Sequence, residues 1–160
     1  MSGVFLSPHN DDEALFGAFT LLRYRPRVVI CMYAGEERAQ ESRDACAILG
    51  CELEQWPFDE GDWDEIEARL RVLEEPVFAP AFVDGGNFQH NRIAELAPVD
   101  AIRYLTYTAQ GKQTDGVEVA YEPDWIGLKH QALACYPTQF AQPGRAEHFM
   151  RDIREYAAAA

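Results

Sequence analysis

The stretch Ser7-Pro8-His9-Asn10-Asp11-Asp12-Glu13 sets one imidazole beside three carboxylates. Imidazole and carboxylate are both zinc ligands, and a catalytic zinc site uses three protein ligands and keeps a position open for water. His9 and Asp12 are three residues apart at the predicted mouth of a helix, so both can converge on one ion. Asp11, between them, is placed to face the activated water. A second histidine, His90, follows a later predicted strand and supplies a third donor. HxxD alone is a weak signal; the strand end before it, the adjoining carboxylate and His90 strengthen it.

The elements around this cluster read as alternating strands and helices. Val4–Ser7 is the first strand, and a helix runs from Asp12 or Glu13 to Tyr24, its acids at the end where the helix dipole favours them. Val28–Tyr33 is a continuous apolar run, as suits a parallel strand covered on both faces. Glu36–Leu49 is a helix stopped by Gly50, and Glu52–Trp56 a short strand. Asp62–Leu73 is a helix with Trp63, Ile66, Leu70 and Leu73 on one side, and Val77–Phe82 is a fourth strand whose Pro80 belongs at an edge or an end. Asp84–His90 is a loop at its exit, with a short helix starting at Arg92. Ala101–Tyr107 and Val117–Tyr121 are further strands, Asp124–Tyr136 is a helix introduced by Pro123, and Arg145–Tyr156 is a last amphipathic helix. The pattern predicts a three-layer α/β/α, Rossmann-like fold with a mostly parallel sheet. Residues 1–156 form one domain and 157–160 a tail without a role.

Composition narrows the partners. With 14 Lys and Arg against 27 Asp and Glu, the net charge of −13 disfavours nucleic acid and anionic membranes, which need a positive surface. A small molecule is the expected partner, and self-association is open. No apolar run reaches the roughly 18 residues of a membrane span. No signal peptide is expected, which places the protein in the cytoplasm. Cys31 and Cys46 lie in apolar patterns and read as buried small hydrophobes; without CxxC spacing a structural zinc knuckle is not expected.

Pro8-His9-Asn10-Asp11-Asp12-Glu13 resembles the opening motif of the PIG-L/LmbE family of zinc-dependent N-deacetylases, His-Pro-Asp-Asp-Glu after the first strand. Gly35-Glu36, Arg38–Glu41 and Ala47–Gly50 are similar to the family's second segment. Lys129–Leu133 with Tyr136, Thr138 and Gln139 is similar to its late helix. The resemblance implies a zinc hydrolase that removes an N-acetyl group from an amino sugar or related small amide by attack of a zinc-activated water. It implies His9, Asp12 and His90 as ligands, Asp11 as general base, and Arg38 and Glu41 as groups that bind sugar hydroxyls. The family's His-Pro-Asp-His segment stands here as Asn87-Phe88-Gln89-His90. Asn87 therefore takes the place of a histidine that helps stabilise the oxyanion. Asn10 replaces the usual proline.

Each feature also has a plainer reading. The three acids complete a helix dipole, and Arg38 and Glu41 form an i,i+3 surface pair. His130 and His148 are surface residues; Trp56, Trp63 and Trp125 are core or rim packing, with Trp125 near a pocket mouth. Tyr107–Gly116 and Gln139–Gly144 are the segments expected to set specificity. Two other functions compete: a degenerate family member that binds without catalysis, and a receiver-like signalling domain. The second needs a phosphorylatable Asp after the third strand, where Gln55-Trp56-Pro57-Phe58 stands instead.

Overall fold

The structure, a computed structural model, describes residues 3–140 and 151–159. Its centre is β1 (Val4–Ser7), a strand with every side chain buried. β2 (Arg27–Ile30) and β4 (Val77–Pro80) flank it in parallel. β3 (Leu53–Gln55) lies parallel outside β2, and β5 (Ile102–Tyr104) parallel outside β4. Two short antiparallel strands, β9 (Tyr156–Ala157) and β8 (Val117–Glu118), complete a seven-stranded sheet of order β3-β2-β1-β4-β5-β9-β8. The remaining pair, β6 (Tyr107–Thr108) and β7 (Gly111–Lys112), forms a separate hairpin.

The apolar strand runs bury side chains on both faces in strict alternation. Phe5, Val28, Ile30 and Phe78 point to one layer, with α1 (Asp12–Phe16), α2 (Ala18–Tyr24), α3 (Glu36–Leu49) and α6 (Pro123–Ala134). Val4, Leu6, Val29, Val77 and Ala79 point to the other, with α4 (Trp63–Leu70) and α5 (Phe88–Leu96). This is the expected three-layer architecture. Cys31 and Cys46 are buried in these two cores, and no cysteine is in a disulfide. Gly50 closes α3 in the left-handed region (φ 66°), as its sequence position predicts. Among the described residues, no helix is long and apolar enough to cross a membrane.

Several elements differ from the sequence reading. The first helix is two, broken at Gly17 (φ −128°, ψ −3°). The ring of Phe5 occupies the space that a Cβ at this position would need, so the helix passes over β1 only through glycine. The backbone groups near the break find buried partners. The Phe19 amide donates to the Glu155 carboxylate at 3.0 Å, and Lys129 Nζ donates to the Leu15 carbonyl at 3.0 Å and to Glu155 Oε1 at 2.7 Å. A last helix reaching Tyr156 is corrected: residues 141–150 lie outside the described ones, and Tyr156–Ala157 is a strand. Ala157, assigned no role above, pairs with Tyr104 and Val117. Pro80 ends an interior strand, where a missing amide interrupts the ladder least.

The topology positions the site. The chain lays β1, β2 and β3 outward in one direction, then returns to place β4 on the other side of β1. The carboxyl ends of strands at such a reversal are where ligands bind in open α/β sheets. β1 and β4 also separate there. Their register covers only Val4↔Val77 and Phe5↔Phe78, whereas β1 and β2 pair through Ser7↔Ile30. The Leu6 carbonyl instead accepts from the buried Tyr104 hydroxyl at 2.7 Å.

Candidate metal centre

His9 and Asp12 leave the end of β1, and His90 enters from beyond β4. His90 is not in a loop, as its sequence context predicts, but in the first turn of α5. Asn87 begins that helix: its Oδ1 accepts from the His90 amide at 3.1 Å, an N-cap in ordinary geometry. The cap thus places the His90 imidazole in the crevice between β1 and β4, with its ring near-perpendicular to those of Phe16 and Tyr107.

The three side chains converge. His9 Nδ1 lies 3.3 Å from His90 Nε2, His90 Nε2 lies 3.2 Å from Asp12 Oδ1, and His9 Nδ1 lies 3.5 Å from Asp12 Oδ2. A tetrahedral zinc with bonds of about 2.0–2.1 Å spaces its ligand atoms about 3.3–3.4 Å apart. The donor set and its spacing therefore fit such an ion, and His9, Asp12 and His90 are the residues that would hold it. Asp12 and His90 are buried, while the His9 side chain is 19% exposed, so the set opens to solvent on one side. His90 Nδ1, the ring nitrogen away from the cluster, is buried without a hydrogen-bond partner.

Electrostatics favour a cation here. Burial pushes the Asp12 carboxyl up, but the His90 and His9 imidazoles outweigh it and hold the group well below the usual carboxylate range. Its neighbour behaves oppositely. Burial pushes the Glu13 carboxyl up to about 7, although its Oε2 accepts from the Ser7 hydroxyl at 2.9 Å and the Asp11 amide at 3.1 Å. Glu13 is thus a buried brace for the Asp11 backbone and more than a helix-end acid. Asp11 needs that brace. It is a non-glycine residue at φ 131°, a conformation costing about 1–3 kcal/mol and characteristic of functional sites.

A cavity of about 230 Å³ opens over this cluster, lined by His9, Asp11 and Asp12, by Arg38 from α3 and by Asn87 and Gln89 around the start of α5. Leu15, Glu60, Tyr107 and Gln139 complete the wall. Arg38 Nη2 donates to the Asn10 carbonyl at 2.6 Å and lies 3.9 Å from Asp11 Oδ2. The Arg38–Glu41 surface pair is not formed. Glu41 is buried, does not line the cavity, and accepts from the Thr138 amide (3.1 Å) and hydroxyl (2.6 Å). It anchors α7 (Pro137–Phe140), which carries Gln139 into the wall.

Asn10 works through its side chain. Its Nδ2 donates to Ser42 Oγ at 2.6 Å and Gln55 Oε1 at 3.1 Å, and Ser42 in turn meets the Tyr136 hydroxyl at 3.0 Å. Sequence reasoning did not single out Glu60, Gln89 or Leu15. Glu60 and Gln89 are polar loop and helix-end residues that only the third dimension brings to the cavity. His130, expected at the surface, is half-buried with its Nε2 enclosed and unpartnered; His148 lies outside the described residues. Trp56 is core, and Trp125 lies under the Arg23 guanidinium at 5.3 Å and does not line the cavity.

No known family profile matches the chain, and no curated protein matches it at a significant score. Solved structures do. GalB, the 4-carboxy-2-hydroxymuconate hydratase from Pseudomonas putida KT2440, is 16% identical over 98% of this chain and 95% of its own, with a TM-score of 0.64. A triple mutant of the deacetylase Orf2 of the teicoplanin biosynthetic pathway is 15% identical, with a TM-score of 0.71 over 94% of this chain and 89% of its own. The chain has the fold of these proteins. The zinc-inhibited form of teicoplanin deacetylase Orf2 matches likewise, at 12% identity and a TM-score of 0.68 over 95% of this chain and 90% of its own. The three-layer α/β architecture expected from the alternation of strands and helices is thus the one observed, and these structures share it.

Proposed function

We propose that this protein is a zinc-dependent N-deacetylase of a small N-acetylated amino sugar or related amide. The observation that carries the reading is the convergence of His9, Asp12 and His90 at ligand spacing, with Asp11 on the same cavity wall. A zinc ion held there supplies a polarised water and a Lewis acid for the amide carbonyl. Asp11 accepts a proton from the attacking water and returns it to the departing amine, the work of a general base and then a general acid. Asn87 uses Oδ1 for its cap, which leaves its Nδ2 as the neutral donor toward the developing oxyanion. Arg38 places its charge beside the Asp11 carboxylate and orients substrate hydroxyls or a carbonyl. Glu41 acts on the substrate indirectly, through the placement of Gln139.

Acetate release from a panel of N-acetylated amino sugars and simple amides tests this reading. Zinc-loaded protein should release acetate and a free amine from at least one of them. Zinc binding with silence across the panel would favour a ligand-binding protein without catalysis. A second reading, hydration of an unsaturated carboxylate, rests on the likeness to the hydratase over 98% of the chain and on Arg38 as a carboxylate anchor in the cavity. Loss of the ultraviolet absorbance of a conjugated dienoate, without acetate release, would select it.

A further inference from the structure

Leu15 and Tyr107 are the apolar residues of the cavity wall; every other lining residue among the described ones is polar or charged. Each stands beside a residue of the metal centre. Leu15 follows Asp12 by three positions on α1, so the two share a helix face. Tyr107, at the start of the β6–β7 hairpin, meets the His90 imidazole edge to face, with centroids 5.8 Å apart and planes at 78°. Asp12 and His90 are themselves 3.2 Å apart. The apolar part of the wall therefore flanks the Asp12–His90 side of the centre. The Arg38 guanidinium keeps to Asp11 instead, at 3.9 Å.

This apolar surface is shallow, because the space behind it is filled. Phe16, 1% exposed, stacks on Tyr107 (centroids 5.9 Å, planes at 26°) and meets the His90 ring edge to face (6.5 Å, 82°). Leu15 is buried in the same core cluster, and its carbonyl accepts from Lys129 Nζ at 3.0 Å. Neither side chain can withdraw without disturbing the core, and a close-packed interior resists even one added methylene.

We propose that Leu15 and Tyr107 form the acyl-binding corner of the site and limit the acyl group to acetyl. The proposal rests on the deacetylase reading. An amide with its carbonyl at the metal centre and its nitrogen toward Asp11 has one apolar group left near the ligands, the methyl on the carbonyl carbon. That methyl finds Leu15 and Tyr107, whereas a longer chain runs into Phe16 and the core behind them. One methylene more or less in an apolar pocket changes kcat/KM by about 10–200-fold. The size limit thus falls on the acyl side, and the polar remainder of the wall meets the part that carries the amine.

The test compares N-acetyl- and N-butyryl-D-glucosamine on the zinc-loaded protein, read by release of the carboxylate. The kcat/KM ratio should favour the acetyl compound by about 10–200-fold. Tyr107→Ala should bring the ratio toward one, chiefly by raising the butyryl rate, and Tyr107→Phe, which keeps the ring, should preserve it. Leu15→Ala should act like Tyr107→Ala where circular dichroism shows it folded. A ratio near one in the unaltered protein, or one that a folded alanine variant leaves in place, overturns the corner while turnover upholds deacetylation. If neither sugar is hydrolysed, deacetylation of these sugars fails by itself. Calorimetric affinities of the zinc-loaded protein for acetohydroxamic and butyrohydroxamic acid, acyl probes that chelate zinc, then decide the corner. Tighter binding of the shorter acid, lost in Tyr107→Ala, supports it; equal affinities, a preference that persists in that variant, or no binding overturn it.

Discussion

His9 Nδ1 and His90 Nε2 face each other at 3.3 Å, although the residues stand 81 positions apart in the chain. An imidazole ring nitrogen is either a lone-pair acceptor or an N–H donor, so two of them at this distance share a proton or flank a cation. With Asp12 completing the set, the arrangement favours a divalent ion. The purified protein should bind about one zinc per chain, and His90→Ala should abolish this, by metal analysis after dialysis. Free zinc at about a hundredfold over its dissociation constant should stabilise the native protein by about 2.7 kcal/mol, seen as a rise in Tm that the variant lacks. A Tm indifferent to zinc in the unaltered protein would contradict the site.

Asp11 combines backbone strain with the proposed base. Asp11→Asn should lower kcat by about 10²–10⁴ while zinc stays bound. Asp11→Gly should also be inactive. Because glycine adopts φ 131° readily, it should raise the stability of the metal-free protein by about 1 kcal/mol in urea melts. Loss of both activity and stability in the glycine variant would mean that the backbone conformation is not strained.

Lys129 and Glu155 form a buried ion pair that ties α6 to the segment before β9 and satisfies the Leu15 and Phe19 backbone groups near the Gly17 break. Removing one partner strands the other. Lys129→Met should destabilise by about 3–5 kcal/mol. The double variant with Glu155→Leu should recover part of that loss, with the Phe19 amide left unpaired. A Lys129→Met protein that unfolds at the same urea concentration as its parent would show that the pair is not closed in solution.

Glu13 should leave a signature in pH. Its carboxyl is an acid whose folded pKa, about 7, exceeds its ordinary 4.5, because burial disfavours the charge. Its contribution to stability is therefore fully present below about 4.5 and is lost as pH rises through about 7. In metal-free protein, the stability of the parent relative to Glu13→Gln should fall across that interval and level off above it. A pH-independent difference in chemical denaturation would refute the assignment.

Much of this was legible in sequence because it is local. Continuous apolar runs announced interior strands, Gly50 the end of α3, and His9, Asp11 and Asp12 a cluster already gathered within one turn. The errors are where distant parts decide. Gly17 breaks a helix because the Phe5 ring lies beneath it, which periodicity cannot register. Residues near Tyr156 carry a helical pattern, yet β5 and β8 offer them ladder partners. Glu41 has the spacing of a surface ion pair with Arg38, but Thr138 presents it with two donors.

By itself the sequence determined the donor types, their spacing at the end of the first strand, and the alternation that makes a parallel three-layer sheet. These follow from side-chain chemistry and from periodicities of a few residues. Only the tertiary structure decided that His90 closes the set. That required β4 to return beside β1, the two strands to part after Phe5 and Phe78, and Asn87 to cap the helix that aims the imidazole. Contacts between segments so far apart in the chain depend on the packing of the whole sheet, and no local pattern encodes them.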